Sequence, residues 1–519
     1  MEHLSLKEKV GQLMMFGFAG KAIPPHIEKF ITEGNLGGII HFSRNIDDPK
    51  QIRALNDELQ ALAKRSPSGL DLLISIDQEG GSVVRLTNGV SVSPGNMALG
   101  AADSAELAEQ VGQVMGEELR AAGFNINLAP CLDVNNNSKN PVIGVRSFGS
   151  DPVKVAELGS ALIRGLQRHL AAVGKHFPGH GDTHVDSHLS LPVIDHSWER
   201  LEAVELVPFK KAIETGVKGI LAAHVFFPTL EPNPNLPATL SPAVLTKLLR
   251  ERLGFTGLIL TDCMEMEAIT KNFSLGEAAV LTIEAGSDIV IVSHTPERQK
   301  EAVRAVVEAV ERGRIPEERI DESLARIYAL KKGFRADSQK PASLSGAAKS
   351  DVMAAAVEKS LTVVRGKNEL PLQRGPVYVI ETAAQATSIA EEKIEGSTTL
   401  ADALAKEGFT VEREQVGLTV GGGEIKRLAA KAANHSLVII VAQDAHRHAG
   451  QAEMIRQVAA ASKTIVIGAR TPYELTALPN AAAYIAVYTN RAFVWPQVAA
   501  LLVGKIKGQG RLPVTLNEN

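Results

Sequence analysis

Between Lys175 and His188 the chain reads KHFPGHGDTHVDSH, which is four histidines, two aspartates and a lysine in fourteen residues. The stretch is too polar for a core strand, and Pro178-Gly179 with Gly181 excludes a regular helix. It reads as a loop, and a loop this dense in titratable groups is where a rigid scaffold usually carries chemistry. The bland alternative is a solvated charged loop. It is disfavoured because the segment directly follows an apolar run, and because other apolar runs along the chain also end in titratable side chains. Within the loop, Asp186 stands two residues before His188. A carboxylate so placed orients an imidazole and supports its protonated form, and an imidazole gives and retakes a proton near neutral pH.

Short β-rich runs recur along the chain at 36–42, 72–76, 124–128, 172–174, 219–223, 258–260 and 288–292. Helical spacing fills stretches between them, as at 49–63, 104–121, 153–168 and 296–312. Strands alternating with helices imply parallel strands joined by right-handed crossovers. Seven or eight such units within residues 1–335 predict an α/β fold that opens with a TIM-type (β/α)8-like barrel. In run after run the apolar segment ends in a polar residue: Asp77, Asp133, Lys175 with His176, His224, and Asp262. A barrel of this kind carries its site at the C-terminal ends of its strands, so these side chains are expected on one face. Arg146, in GVRSF, follows the third run closely enough to join them.

Residues 336–350 have the small, polar composition of a linker, and a second α/β region follows over 351–519. Its buried-type runs at 361–364, 377–380, 437–441, 464–467 and 483–487 predict an open sheet with helices on both faces, an α/β sandwich domain. Gly421-Gly422-Gly423 is a lone glycine run without phosphate-loop spacing and reads as a loop turn. The 519 residues are too many for one core, which agrees with this division. A net charge of −4 with both signs dispersed gives no basic face for nucleic acid and no polybasic membrane patch. No stretch approaches the roughly 18 apolar residues of a membrane span. Cys131 and Cys263 form neither a disulfide framework nor a metal-ligand spacing along the chain. The start, MEHLSLKEKVGQLMMFGF, lacks the features of a secretory signal, so a cytoplasmic protein is expected, or a secreted one if a leader was trimmed.

The stretches LSLKEKVGQLMMFGF, GGIIHFSRNI, IDQEGGSVVR, PGNMALGA, NINLAPCLDVNNN, GVRSFG, KHFPGHGDTHVDSH, GFTGLILTDCMEM and GRLPVTL resemble glycoside hydrolase family 3, specifically its NagZ-like β-N-acetylglucosaminidase branch. The resemblance covers both halves of the chain, and KHFPGHGD followed by DSH is its most specific part. It implies a TIM-type barrel followed by an α/β sandwich and a retaining exo-β-N-acetylglucosaminidase acting on a carbohydrate, either peptidoglycan fragments or chitin oligomers. It also implies Asp262 as nucleophile and His188 with Asp186 as the acid/base dyad. A rigid strand end suits a nucleophile, and two-step displacement needs no metal or organic cofactor. The resemblance carries substrate binding over to Asp77, Arg146, Lys175 and His176. Arg85 either contacts ligand or braces Asp77. His180 and Asp182 are expected to shape the loop, His224 to line the pocket floor, and Cys263, a departure from the family pattern, to point into packing. Three rivals stand beside this reading: a phosphorylase taking phosphate as acceptor at the same site, a β-glucosidase of the same family, and a non-catalytic sugar-binding protein. The β-glucosidases lack the GHGD…DSH loop, and a sugar-binding protein is expected to lose the nucleophile or the dyad. Water and phosphate both remain admissible acceptors.

Overall fold

The computed structural model describes residues 3–516 except 235, 337–344, 387, 393–397 and 479–480. Met14–Phe16 (β1), Gly38–His41 (β2), Leu73–Ile76 (β3), Ile126–Asn127 (β4), Ala171–Phe177 (β5), Gly219–Ala222 (β6), Leu258–Cys263 (β7) and Ile289–Val292 (β8) close into a parallel barrel. Each strand pairs with the next in sequence, and β8 returns to β1 with Met14 opposite Val290. Nearly every strand residue is buried, because helices cover the outside and side chains fill the inside.

Local sequence sets the crossovers. Asp48 and Asp151 cap the helices Pro49–Ala63 and Pro152–Leu166 by accepting backbone N–H bonds, and the proline after each fixes the first helical φ. The helices Ala105–Ala121 and Pro152–Leu166 meet through glycines: a Cβ on Gly165 would lie 2.1 Å from the Glu109 carbonyl oxygen. No side chain fits there, so Gly165 sets how closely the pair packs.

The structure departs from several of these expectations. The motif expected as loop from Lys175 begins inside β5, since Lys175, His176 and Phe177 complete the strand. Parallel neighbours on both sides supply backbone partners even for polar residues. Strand β1 lies outside all of the expected runs, because three residues are too few to show a period. Helix Gly346–Ser360 begins inside the segment expected as linker, of which 337–344 lie outside the described residues.

The second sheet comprises Thr362–Arg365 (β9), Pro376–Thr382 (β10), Thr410–Val416 (β11), Val438–Ala442 (β12), Thr464–Gly468 (β13) and Ala483–Ala486 (β14), in the order β9-β14-β13-β12-β10-β11. Only the β9–β14 pair is antiparallel. Separate apolar clusters cover its two faces. One of them also contains Met97, Ala98, Ala101 and Val145, so that side of the sheet packs against the barrel. Edge strand β11 (TVEREQV) was not expected, because its charged residues hide it while protecting the edge. Gly421 caps a helix that Gly422 and Gly423 begin, in place of the expected loop turn. The C-terminal GRLPVTL segment returns to the barrel, where Ser150 N donates to the Pro513 carbonyl at 3.0 Å and Arg511 N to that of Ala101 at 2.9 Å.

Candidate functional site

The polar strand ends meet at the C-terminal mouth of the barrel. A register shift at the end of β5 places Lys175 opposite Leu221 and Phe177 opposite Ala222. Bulges of this kind re-aim side chains. Lys175 Nζ donates to Asp77 Oδ1 at 2.6 Å and lies 2.6 Å from Glu79 Oε1. Arg146 forks onto the same Glu79, Nε to Oε2 at 2.9 Å and Nη2 to Oε1 at 2.8 Å. Burial would raise the Glu79 pKa, but Arg146 and Lys175 outweigh it and hold the carboxyl well below the ordinary range. The Lys175 ammonium is disfavoured by burial, yet Asp77 and Glu79 raise its pKa above that of a free lysine.

His176 continues this network inward. Its Nδ1 lies 2.7 Å from Asp133 Oδ2 and its Nε2 lies 3.2 Å from Arg146 Nη2. Arginine only donates, so whenever the ring is neutral Nε2 is the acceptor of that contact and Nδ1 the donor to Asp133. Asp133 also accepts from the backbone N–H of His180 at 2.6 Å. Against a strong effect of burial, His176 and the other partners keep the Asp133 carboxyl at about 2.

Asp262 sits near the end of β7, and its Oδ1 accepts from Cys263 N at 2.7 Å. Burial pushes its pKa up, but His224, His176 and His188 together outweigh that and hold it at about 2. The carboxylate is therefore ionised throughout the neutral range. His188 Nδ1 lies 2.7 Å from Asp186 Oδ1, and the same oxygen accepts the His188 backbone N–H at 2.9 Å. The loop thus brings His188 within electrostatic reach of Asp262 while Asp186 fixes its ring. His224 Nε2 donates to the Cys263 carbonyl at 3.0 Å, on the floor beneath Asp262. His180 is pinned between Thr183 and Ser187, each at 3.0 Å, and Asp182 pairs with His196 at 2.9 Å, so both hold the loop in shape. Gly181 packs so tightly on the segment after β4 that carries Asp133 that a Cβ would meet the Val134 carbonyl oxygen at 1.7 Å.

Arg85 takes a bracing position. Its Nη2 is 3.9 Å from Asp77 Oδ2, while Nη1 donates to Glu392 Oε1 at 2.6 Å and to the Ala390 carbonyl at 2.9 Å. Both acceptors belong to the second half of the chain. The neighbouring Glu391 is tied to Arg470 at 2.6 Å, and Arg470 to Asp444 at 2.9 Å. Arg491 Nε donates to the Gly81 carbonyl at 2.8 Å, and Asn135 Nδ2 to Tyr473 Oη at 2.8 Å. The second domain therefore reaches the rim of the cleft.

All eight candidate residues lie in this region. Glu79, Glu392 and Arg470 were not singled out from sequence. Only Glu79 left a signal, as a carboxylate inside IDQEGG just past a strand end. Cys263 is half-buried and not simply packed away. Although chain spacing gave no metal motif, space brings two sets of ligand atoms within 4.8 Å of one another: Cys131, Asp133 and His176, and Cys263, Glu265 and His294. A cavity of about 1760 Å³ lies at the opposite end of the barrel, near Ala171 and Leu258, and is lined by none of these groups.

Residues 5–330 match the N-terminal domain of glycosyl hydrolase family 3. The chain is 30% identical to β-hexosaminidase A of Pseudoalteromonas piscicida over 95% of its own length and 92% of that protein. It superposes on a family 3 β-N-acetylglucosaminidase from Paenibacillus sp. str. FPU-7 with a TM-score of 0.93 and 44% identity, covering 99% of this chain and 100% of the other. The β-glucoside phosphorylase BglX superposes at 0.80 with 25% identity, over 99% of this chain and 94% of its own. The match along the barrel and the similarity along the whole chain together show that this protein belongs to glycosyl hydrolase family 3.

Proposed function

We propose that the protein is a retaining exo-β-N-acetylglucosaminidase that removes terminal GlcNAc from peptidoglycan fragments or chitin oligomers. One observation carries the mechanism: Asp186 fixes the His188 ring at 2.7 Å, within electrostatic reach of the strand-end carboxylate Asp262. Asp262 attacks the anomeric carbon while His188 protonates the leaving oxygen, giving a glycosyl-enzyme. His188, now neutral, takes a proton from the incoming water, which displaces Asp262. The configuration at the anomeric carbon is retained. Asp77, Lys175, Arg146 and His176 hold the hydroxyls of the terminal sugar, with Arg85 bracing Asp77. Charged groups fixed in this way select a substrate by the hydrogen bonds it completes.

Rates on matched chromogenic β-GlcNAc and β-glucose substrates test the reading. The GlcNAc compound should be faster by roughly 100-fold or more, because a site that bonds a substrate group rejects analogues lacking it. Equal rates would instead indicate a β-glucosidase.

Phosphorolysis is the second reading, favoured by the similarity to a β-glucoside phosphorylase and by the histidine acid. A neutral imidazole does not repel an incoming phosphate as a carboxylate would. Formation of GlcNAc-1-phosphate when phosphate is added decides between the two acceptors.

A further inference from the structure

We propose that Cys263, Glu265 and His294 form a binding site for a borderline-soft divalent cation, Zn2+ being the type, at the rim of the cleft beside Asp262. Strand β7 ends in Cys263, the turn after it supplies Glu265, and the residues after β8 supply His294. Their sulfur, carboxylate and ring-nitrogen atoms all lie within 4.8 Å of one another. A tetrahedral zinc with bonds of about 2.0–2.3 Å needs ligand atoms about 3.3–3.7 Å apart. Contraction by about 1 Å brings the widest separation into that range, and His294 is the exposed member of the set.

The carboxylate is already aimed. Glu265 Oε2 accepts from His294 N at 2.6 Å and Oε1 from Thr295 N at 3.1 Å, which fixes the group while each oxygen keeps another lone pair. Among the described residues the ring nitrogens of His294 make no hydrogen bond, and the ring lies against Phe42 with centroids 5.4 Å apart. The Ser293 Oγ is buried without a hydrogen-bond partner of ordinary geometry and lies beside the Cys263 thiol. Burial otherwise pushes that thiol up to about 11, so metal binding expels one proton: Sγ–H and M2+ give Sγ–M+ and H+, with no change of oxidation state.

Arg44 donates to the Ser293 carbonyl at 2.8 Å and Arg298 lies 3.8 Å from Glu265. These cations weaken binding and favour a reversible site over a structural one. The other ligand set is sealed: Cys131 Sγ is 3.1 Å from Asp133, which is 2.7 Å from His176, and all three are buried.

Cys263 N donates to Asp262 Oδ1, so a cation that pulls on Cys263 also disturbs Asp262. Occupancy is therefore inhibitory. That consequence, unlike the site itself, rests on the glycosidase reading.

The test uses the full chain and Co2+ alone as a spectroscopic probe. The parent should show a thiolate-to-cobalt charge-transfer band that Zn2+ abolishes by displacement and that Cys263→Ser lacks. No band in the parent, or a band that survives in Cys263→Ser, overturns the site. Zn2+ should also slow hydrolysis of a chromogenic β-GlcNAc reversibly, with EDTA restoring the rate. His294→Ala should keep the metal-free rate but need at least about tenfold more Zn2+ for the same inhibition. A cobalt band without inhibition refutes the coupling to Asp262. A chain inert toward every β-GlcNAc refutes the glycosidase reading and leaves the cobalt result standing by itself.

Discussion

Replacing Glu79 with Gln should damage this protein more than its place in the sequence suggests. The carboxylate is 2% exposed and neutralises two buried cations, Lys175 at 2.6 Å and Arg146 at 2.8 Å. Removing one partner of a buried ion pair costs about 3–5 kcal/mol, because the remaining charge stays desolvated and uncompensated. Glutamine keeps the volume and one carbonyl acceptor, which places the loss near the lower end, about 3 kcal/mol. At about 2.1 cal/mol/K per residue, a kcal/mol moves the melting temperature of a 519-residue chain by about 1 °C, so a drop of roughly 3 °C is expected. Differential scanning calorimetry at one scan rate measures it. Asp57→Asn is the control, since the Arg53–Asp57 pair is 2.8 Å long but half exposed. It should shift melting by less than about 1 °C. Activity should fall as well, because Lys175, released from Glu79, follows Asp77 alone and loses its fixed position. A Glu79→Gln protein that melts within a degree of the parent would refute the claim that this carboxylate compensates the two cations.

Asp262→Ala should fold and melt like the parent yet lose turnover to below a few per cent, because one step of a two-step displacement disappears. Substantial residual activity would remove Asp262 as nucleophile. His188→Ala should slow a natural disaccharide far more than a dinitrophenyl glycoside, whose leaving group needs no proton, and Asp186→Ala should give a milder form of that pattern. Equal losses on both substrates would make His188 a binding residue. Asp133 has a folded pKa of about 2, below its unfolded value, so its stabilisation is complete above about pH 4 and disappears as the pH falls toward 2. Urea unfolding between about pH 5 and pH 2 should therefore cost the parent roughly 2 kcal/mol more than it costs Asp133→Asn. Parallel pH profiles for the two proteins would show that Asp133 gains nothing from its partners.

Much of this protein is legible in the chain alone, because the relevant signals are local. Apolar runs alternating with helical spacing give parallel strands with crossovers, and polar residues at strand ends give a mouth where they gather. Asp186 and His188 are two residues apart, so their pairing at 2.7 Å is readable from spacing. Signals fail where an element is too short or too polar to show a period, as in the three residues of β1 and the charged edge strand β11. They also fail where an interaction depends on distance through space. Glu79 meets Lys175 across 96 residues of chain, and Arg85 meets Glu392 across more than 300. Coulomb energy and desolvation depend on separation and burial, and neither is written in sequence order. The fold decided that Glu79 is the counter-charge of two cations and that His224, His176 and His188, from distant segments, gather round Asp262 and lower its pKa. It likewise decided that the second domain, which shows no catalytic set in its sequence, supplies Glu392 to the arginine beside Asp77.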